Sequence, residues 1–133
     1  WDISKRNERL GLYGFTTLCH LGGVLLARGL GQYELMRVLL AFWLLAVMFT
    51  IVTAYWKVSV HAGVNSALAT FVILNWGFGQ GPISLWLRLW LFGVVALVGW
   101  SRIKLKKHQP AQVLVGSLLG FLGTVAGMRL VGG

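Results

Sequence analysis

The chain has 133 residues, of which 57% are hydrophobic and 11% charged, and its mean hydropathy of +0.76 lies far above that of a soluble domain. Twelve Lys and Arg against three acidic residues give a net charge of +9. This composition excludes an ordinary soluble protein. Because the cations flank apolar segments, it favours membrane lipid with anionic headgroups as the partner and argues against nucleic acid.

Five apolar segments follow one another along the chain, each near the ~20 residues that a helix needs to cross a bilayer. Continuously apolar runs such as 91–98 favour helices over the alternating strands of a barrel. We therefore predict an all-α integral membrane protein, a single bundle of about five transmembrane helices, and we expect it in a prokaryotic cytoplasmic membrane. The predicted spans are 10–27, 35–55, 61–78, 84–100 and 112–128.

The first segment holds two residues of types that bind metals or haem. Cys19 is the one cysteine of the chain, which excludes an internal disulfide and a cysteine-based metal cluster. His20 lies about ten residues into the segment, so it pairs badly with another histidine as a haem ligand and is expected to be a hydrogen-bonded core residue. The chain starts with Trp1 rather than Met, and we expect that an N-terminal segment precedes it.

Positive charge is unevenly distributed if successive loops alternate between the two sides of the membrane. His61 and His108 fall on the more basic side. The excess has two interpretations, the positive-inside rule, which would make this side cytoplasmic, or a site that binds an anion. The basic side receives Lys5, Arg6, Arg9, Lys57, Arg102, Lys104, Lys106 and Lys107, and the other side Arg28, Arg37, Arg88 and Arg129.

Small residues recur at helical spacing in the third and fifth segments, which predicts close helix packing. If these two helices pack with their basic-side ends level, His61 and His108 are brought close together. The small residues are Ala62, Ser66 and Ala69 in the third segment and Gly116, Gly120, Gly123 and Gly127 in the fifth.

The histidines stand in two recognisable patterns. Ser101-Arg102, five residues, His108, three residues and Gln112 resembles the third signature of the type 2 phosphatidic acid phosphatase superfamily, which has Asp at the last position. Val58-Ser59-Val60-His61 is similar to the second signature, Pro-Ser-Gly-His. The resemblance covers roughly residue 57 to the C-terminus and implies a fold like the six-helix core of that family.

The first signature of that family, Lys, six residues, Arg-Pro, is matched poorly. Placing Arg9 on its arginine puts Asp2 on the lysine position and Leu10 on the proline. Lys5 or Lys57 is a candidate for the missing cation.

The resemblance implies a phosphatase or phosphotransferase that acts on lipid phosphates or diphosphates without metal or other cofactor. His108 would attack phosphorus and form a phosphohistidine, and His61 would protonate the leaving oxygen. Gln112 would orient His108 without the charge of the family's Asp, or would only add polarity to a helix N-terminus. The residues implied to bind phosphate are Arg102, Ser59, Lys57 and Arg9. A rival hypothesis is a catalytically inert relative that serves as a lipid-binding or transporter subunit.

Overall fold

The computed structural model describes residues 6–77 and 84–132, which form five α-helices and no strand. The predicted all-helical class is confirmed, and each described helix end lies within four residues of the predicted span. The predicted end of the third span at Phe78, the loop with Pro82, and Asp2 and Lys5 lie outside the described residues. The helices are α1 (Arg6–Gly29), α2 (Tyr33–Tyr55), α3 (Val60–Gly77), α4 (Leu85–Lys104) and α5 (Pro110–Gly132).

Four of the described helices, α1, α2, α4 and α5, are long and apolar enough to cross a membrane. This fits an integral membrane protein. The third predicted span corresponds to the shorter apolar stretch Val60–Leu74. That helix carries small and polar residues that are buried, among them Ala62, Ser66 and Thr70, whereas α4 exposes Trp86 and Trp90.

The described residues divide into two compact units. The first contains α1, α2 and the end of α5 from Ala126. In it α1 packs along α2, whose buried residues recur every four positions. The Oγ1 atoms of Thr17 and Thr50 lie 3.1 Å apart between the two helices.

The second unit, residues 58–125, contains α3, α4 and most of α5. The backbones of α3 and α5 approach so closely that a Cβ on Gly116 would meet the carbonyl oxygen of Ser59, and one on Gly120 would meet that of Gly63. These contacts advance in the same direction along both helices, so α3 and α5 run parallel. The predicted packing of the third helix against the fifth is therefore present, with their N-terminal ends level.

Candidate functional site

The turn between α4 and α5 is built around the carbonyl group of Arg102. Helix α4 continues four residues beyond its predicted end at Trp100, so Arg102 lies in its last helical turn and not in the loop. The Arg102 carbonyl accepts hydrogen bonds from the backbone N–H of Lys107 at 3.1 Å and of His108 at 3.3 Å. Two residues of the third motif are thereby joined through the backbone.

The same turn places Lys106 in the left-handed region, with φ of 53°. Its N–H donates to the carbonyl of Ile103 at 2.9 Å, and together with the bond from Lys107 to Arg102 this makes a Schellman motif at the end of α4. Glycine is the usual residue at this position because a Cβ there costs about 1 kcal/mol. Lys106 is thus a strained residue two positions before His108.

The side chain of His108 is oriented by Gln112. Nδ1 of His108 lies 3.2 Å from Oε1 of Gln112, and the backbone N–H of Gln109 donates to the same oxygen at 3.1 Å. A backbone N–H can only donate, so it fixes the amide oxygen, not the amide nitrogen, toward His108. Nδ1 of His108 must then carry the proton, which leaves the lone pair on Nε2.

Gln112 also belongs to the N-terminal cap of α5. Gln109 precedes Pro110, the first residue of the helix, and its carbonyl accepts from the N–H of Gln112 at 3.0 Å. A Gln at the third helical position that reaches back to the N–H of the capping residue is half of a capping box. The orienting role and the helix-terminal role, alternatives on sequence grounds, thus coexist on one oxygen atom.

The second motif begins α3 and is tied to the third motif by a backbone bond. The N–H of Ser59 donates to the carbonyl of Gln112 at 3.0 Å. Ser59 is fully buried, and its Oγ accepts from the N–H of Ala62 at 3.4 Å, so its hydroxyl helps to cap α3. His61 follows in the first turn of that helix.

His61 and Arg102 interact electrostatically. His61 lies outside the four helices that are long enough to span a membrane, and as a residue it is exposed to solvent. Partial burial, and then the nearby guanidinium of Arg102, lower the pKa of His61 from its usual 6.5. Both act against a positive charge on the imidazole, so an anion between the two groups would be bound favourably.

Arg102 also carries an unpaired donor. Its Nε is buried and has no hydrogen-bond partner. Buried N–H groups in proteins are almost always paired, and an unpaired donor on a cation points to an acceptor such as an oxyanion.

The predicted site residues are not all in this unit. Arg9, on α1, and Lys57, just after α2, belong to the first unit. His20, also there, bonds through Nδ1 to the carbonyl of Thr16 at 2.8 Å, so the expected hydrogen bond is present, but the residue is half-buried and does not lie in the core.

Sequence reasoning missed two features of the site, the conformation of Lys106 and the backbone N–H of Gln109. The capping contact had a signal, because Gln109-Pro110 followed by Gln112 is typical of a helix N-terminus. Comparisons with family models, curated proteins and solved structures found no match to this chain.

Proposed function

We propose that this protein is a membrane-embedded phosphatase or phosphotransferase that acts on lipid phosphates or diphosphates through a phosphohistidine on His108. We place it in the type 2 phosphatidic acid phosphatase superfamily and in a prokaryotic cytoplasmic membrane. The observation that carries the proposal is the oriented imidazole. Gln112, itself held by the N–H of Gln109, keeps the proton on Nδ1 of His108 and leaves Nε2 nucleophilic.

The reaction needs two steps. Nε2 of His108 attacks phosphorus, the bond between phosphorus and the lipid oxygen breaks, and protonated His61 gives its proton to the departing oxygen. In the second step neutral His61 accepts a proton from water as the water oxygen attacks the phosphohistidine. The N–P bond breaks, inorganic phosphate leaves, and both histidines return to their starting states.

The surroundings of the two histidines suit an anionic transition state. Arg102 offers an unpaired Nε–H donor beside His61. The parallel α3 and α5 direct the positive ends of their dipoles toward the same end of the unit. We assign two roles to the buried Ser59. Its hydroxyl oxygen caps α3 and so positions that helix. The resemblance also implies that its hydroxyl hydrogen contacts phosphate. Arg9 and Lys57 stay predicted phosphate ligands on the resemblance alone.

One feature favours the second candidate, a catalytically inert lipid-binding or transporter subunit. Gln112 is neutral and cannot stabilise an imidazolium as a carboxylate does, and in other His-centred sites loss of that charge lowers turnover by about 10⁴. An inert protein would retain lipid phosphates without hydrolysing them.

The test is phosphate release from a panel of lipid phosphates and diphosphates by the purified protein in neutral detergent with excess EDTA. We expect release that His108→Ala abolishes while His20→Ala leaves it intact. The panel also identifies the lipid class. If no member releases phosphate but the protein still binds one of them, the inert candidate is correct. Release that requires added Mg²⁺ would contradict the histidine mechanism.

A further inference from the structure

The turn after α4 carries several exposed lysines. Lys104 and Lys106 are exposed, and they follow the exposed Trp100. The three acidic residues of the chain are Asp2, Glu8 and Glu34, so residues 58–125 of the second unit contain none. Side-chain carboxylates of its own unit therefore cannot balance the charge of this turn.

Lys106 holds its place in the turn at the cost of backbone strain. The Schellman motif needs a left-handed residue, and glycine or asparagine would supply it at lower cost. Strained residues of this kind cluster at functional sites, where the side chain has a use that outweighs the strain. An ammonium group is what Lys106 adds that glycine and asparagine do not.

Trp100 and Lys104 indicate where this turn sits. Nζ of Lys104 lies 5.8 Å from the centroid of the Trp100 ring, one helical turn back on α4. Exposed Trp and Lys at the end of an apolar spanning helix are typical of the headgroup level of a bilayer. The strained lysine lies two residues after Lys104 and is therefore close to the depth of phospholipid phosphates.

We propose that the basic turn, Trp100 to Lys107, is a docking surface for the headgroups of anionic phospholipids in the surrounding bilayer, and that Lys106 is one of its ligands. Such a surface would concentrate anionic lipids beside Arg102 and His108. The binding itself does not rest on the proposed catalytic function. It would persist in a protein that hydrolyses nothing.

The probe is phosphatidylglycerol, a phosphodiester that offers no terminal phosphate for hydrolysis, with phosphatidylcholine as the neutral lipid. Each is added to the full chain in neutral detergent, and Tm is followed by tryptophan fluorescence. We expect phosphatidylglycerol to raise Tm by about 2 to 5 °C more than phosphatidylcholine does, because a ligand of the folded state stabilises it. High salt should remove the difference.

Variants locate the surface. Lys104→Gln with Lys106→Gln should remove at least half of the lipid-dependent increment, whereas Arg88→Gln, an exposed arginine at the other end of α4, should keep it. Lys106→Gly and Lys106→Asn should raise Tm without lipid and still lower the increment, a pair of opposite changes that a purely structural lysine would not show.

An unchanged increment in both lysine variants would overturn the proposal, as would an equal loss in Arg88→Gln. Inorganic phosphate at the same concentration should not reproduce the part of the increment that depends on Lys104 and Lys106. A full increment with inorganic phosphate would make the ligand a small anion and not a lipid. Because none of these readouts involves turnover, failure here is distinct from failure of the catalytic proposal.

Discussion

The α1–α2 hairpin and the α3–α5 pair both contain helical glycines, but they use them differently. A Cβ on Gly11, Gly14 or Gly22 of α1 would meet nothing within 4 Å, whereas one on Gly116 or Gly120 of α5 would collide with the backbone of α3. Glycine spacing alone therefore does not identify a packing seam. The partner must also be small, as are Ser59, which caps α3, and Gly63 and Ala67 within α3, which face these glycines.

Polar groups differ in the same way. In the hairpin, Thr17, Thr50 and His20 each bond to the carbonyl four residues earlier in their own helix, and a side-chain hydrogen bond between α1 and α2 joins the two threonine hydroxyls. In the second unit polar groups link separate elements, as Ser59 and His108 both do to Gln112. The comparison teaches that, among the described residues, hydrogen bonds of the second unit connect the two histidine-containing motifs through Gln112.

The largest expected effect separates the histidines of the two regions. His108→Ala should lower phosphate release by about 10³-fold or more, because it removes the proposed nucleophile. His20→Ala should leave it within about threefold, since His20 bonds only to its own helix. The measurement is kcat with the best lipid phosphate of the panel, and equal losses in both variants would remove the distinction between the regions.

The next effect tests the close contact between the backbones of α3 and α5. Gly120→Ala should destabilise the protein by about 3 kcal/mol or more, because the new Cβ meets the Gly63 backbone, which has no flexible end to move. Gly22→Ala, with open space around its Cβ, should be neutral or stabilise by up to about 1 kcal/mol. Unfolding in detergent compares the two, and a tolerated Gly120→Ala would mean that α3 and α5 do not pack as described.

A smaller effect concerns the orienting amide. Gln112→Glu keeps the reach of the side chain and adds a charge that stabilises the imidazolium, so phosphate release should rise about tenfold. Gln112→Asp, the residue of the resembling family, should also raise release. Gln112→Met loses both hydrogen bonds and should lower release about 10- to 100-fold. If none of the three variants changed the rate of phosphate release, another group would have to orient His108.

The smallest effect is a pH shift. The proposed acid, His61, must be protonated, and burial together with Arg102 lowers the pKa of His61 below 6.5. kcat/KM should therefore fall as the pH rises through that lowered value, on the acid side of neutrality. Arg102→Gln removes the charge that repels a proton from His61. It should therefore move the fall in kcat/KM to higher pH, whatever it does to phosphate binding. If kcat/KM fell at the same pH in this variant as in the wild type, His61 would be excluded as the titrating group.

Periodicity and motif spacing predicted much of this architecture. Apolar runs predict the five helices because a bilayer demands ~20 apolar residues per span, and the glycines of α5 predict its contact with α3. The ends were harder to predict. Helix α4 continues beyond Trp100 because Ser101 to Lys104 still complete helical hydrogen bonds. These residues are polar or charged in part, so a hydropathy pattern ends before the helix does.

The site could be predicted as a set of residues but not as a geometry. The spacing of His108 and Gln112 suggested an orienting contact, because residues four apart can meet at the start of a helix. The third partner, the backbone N–H of Gln109, had a signal only in the helix-start pattern Gln109-Pro110 followed by Gln112, which does not show that the same amide oxygen also faces His108. The left-handed Lys106 also escaped prediction, since the usual signal for that conformation is glycine or asparagine.

The most direct measurement is the capture of the phosphoenzyme. The protein is mixed with a lipid phosphate labelled on its terminal phosphate, quenched within milliseconds in alkali, where phosphohistidine persists, and mapped by mass spectrometry. We predict label on His108, none in His108→Ala, and more label in His61→Ala with a diphosphate, whose good leaving group needs no acid while the second step still lacks its base. Rapid phosphate release with no label on His108, or with label on another residue, would contradict the account.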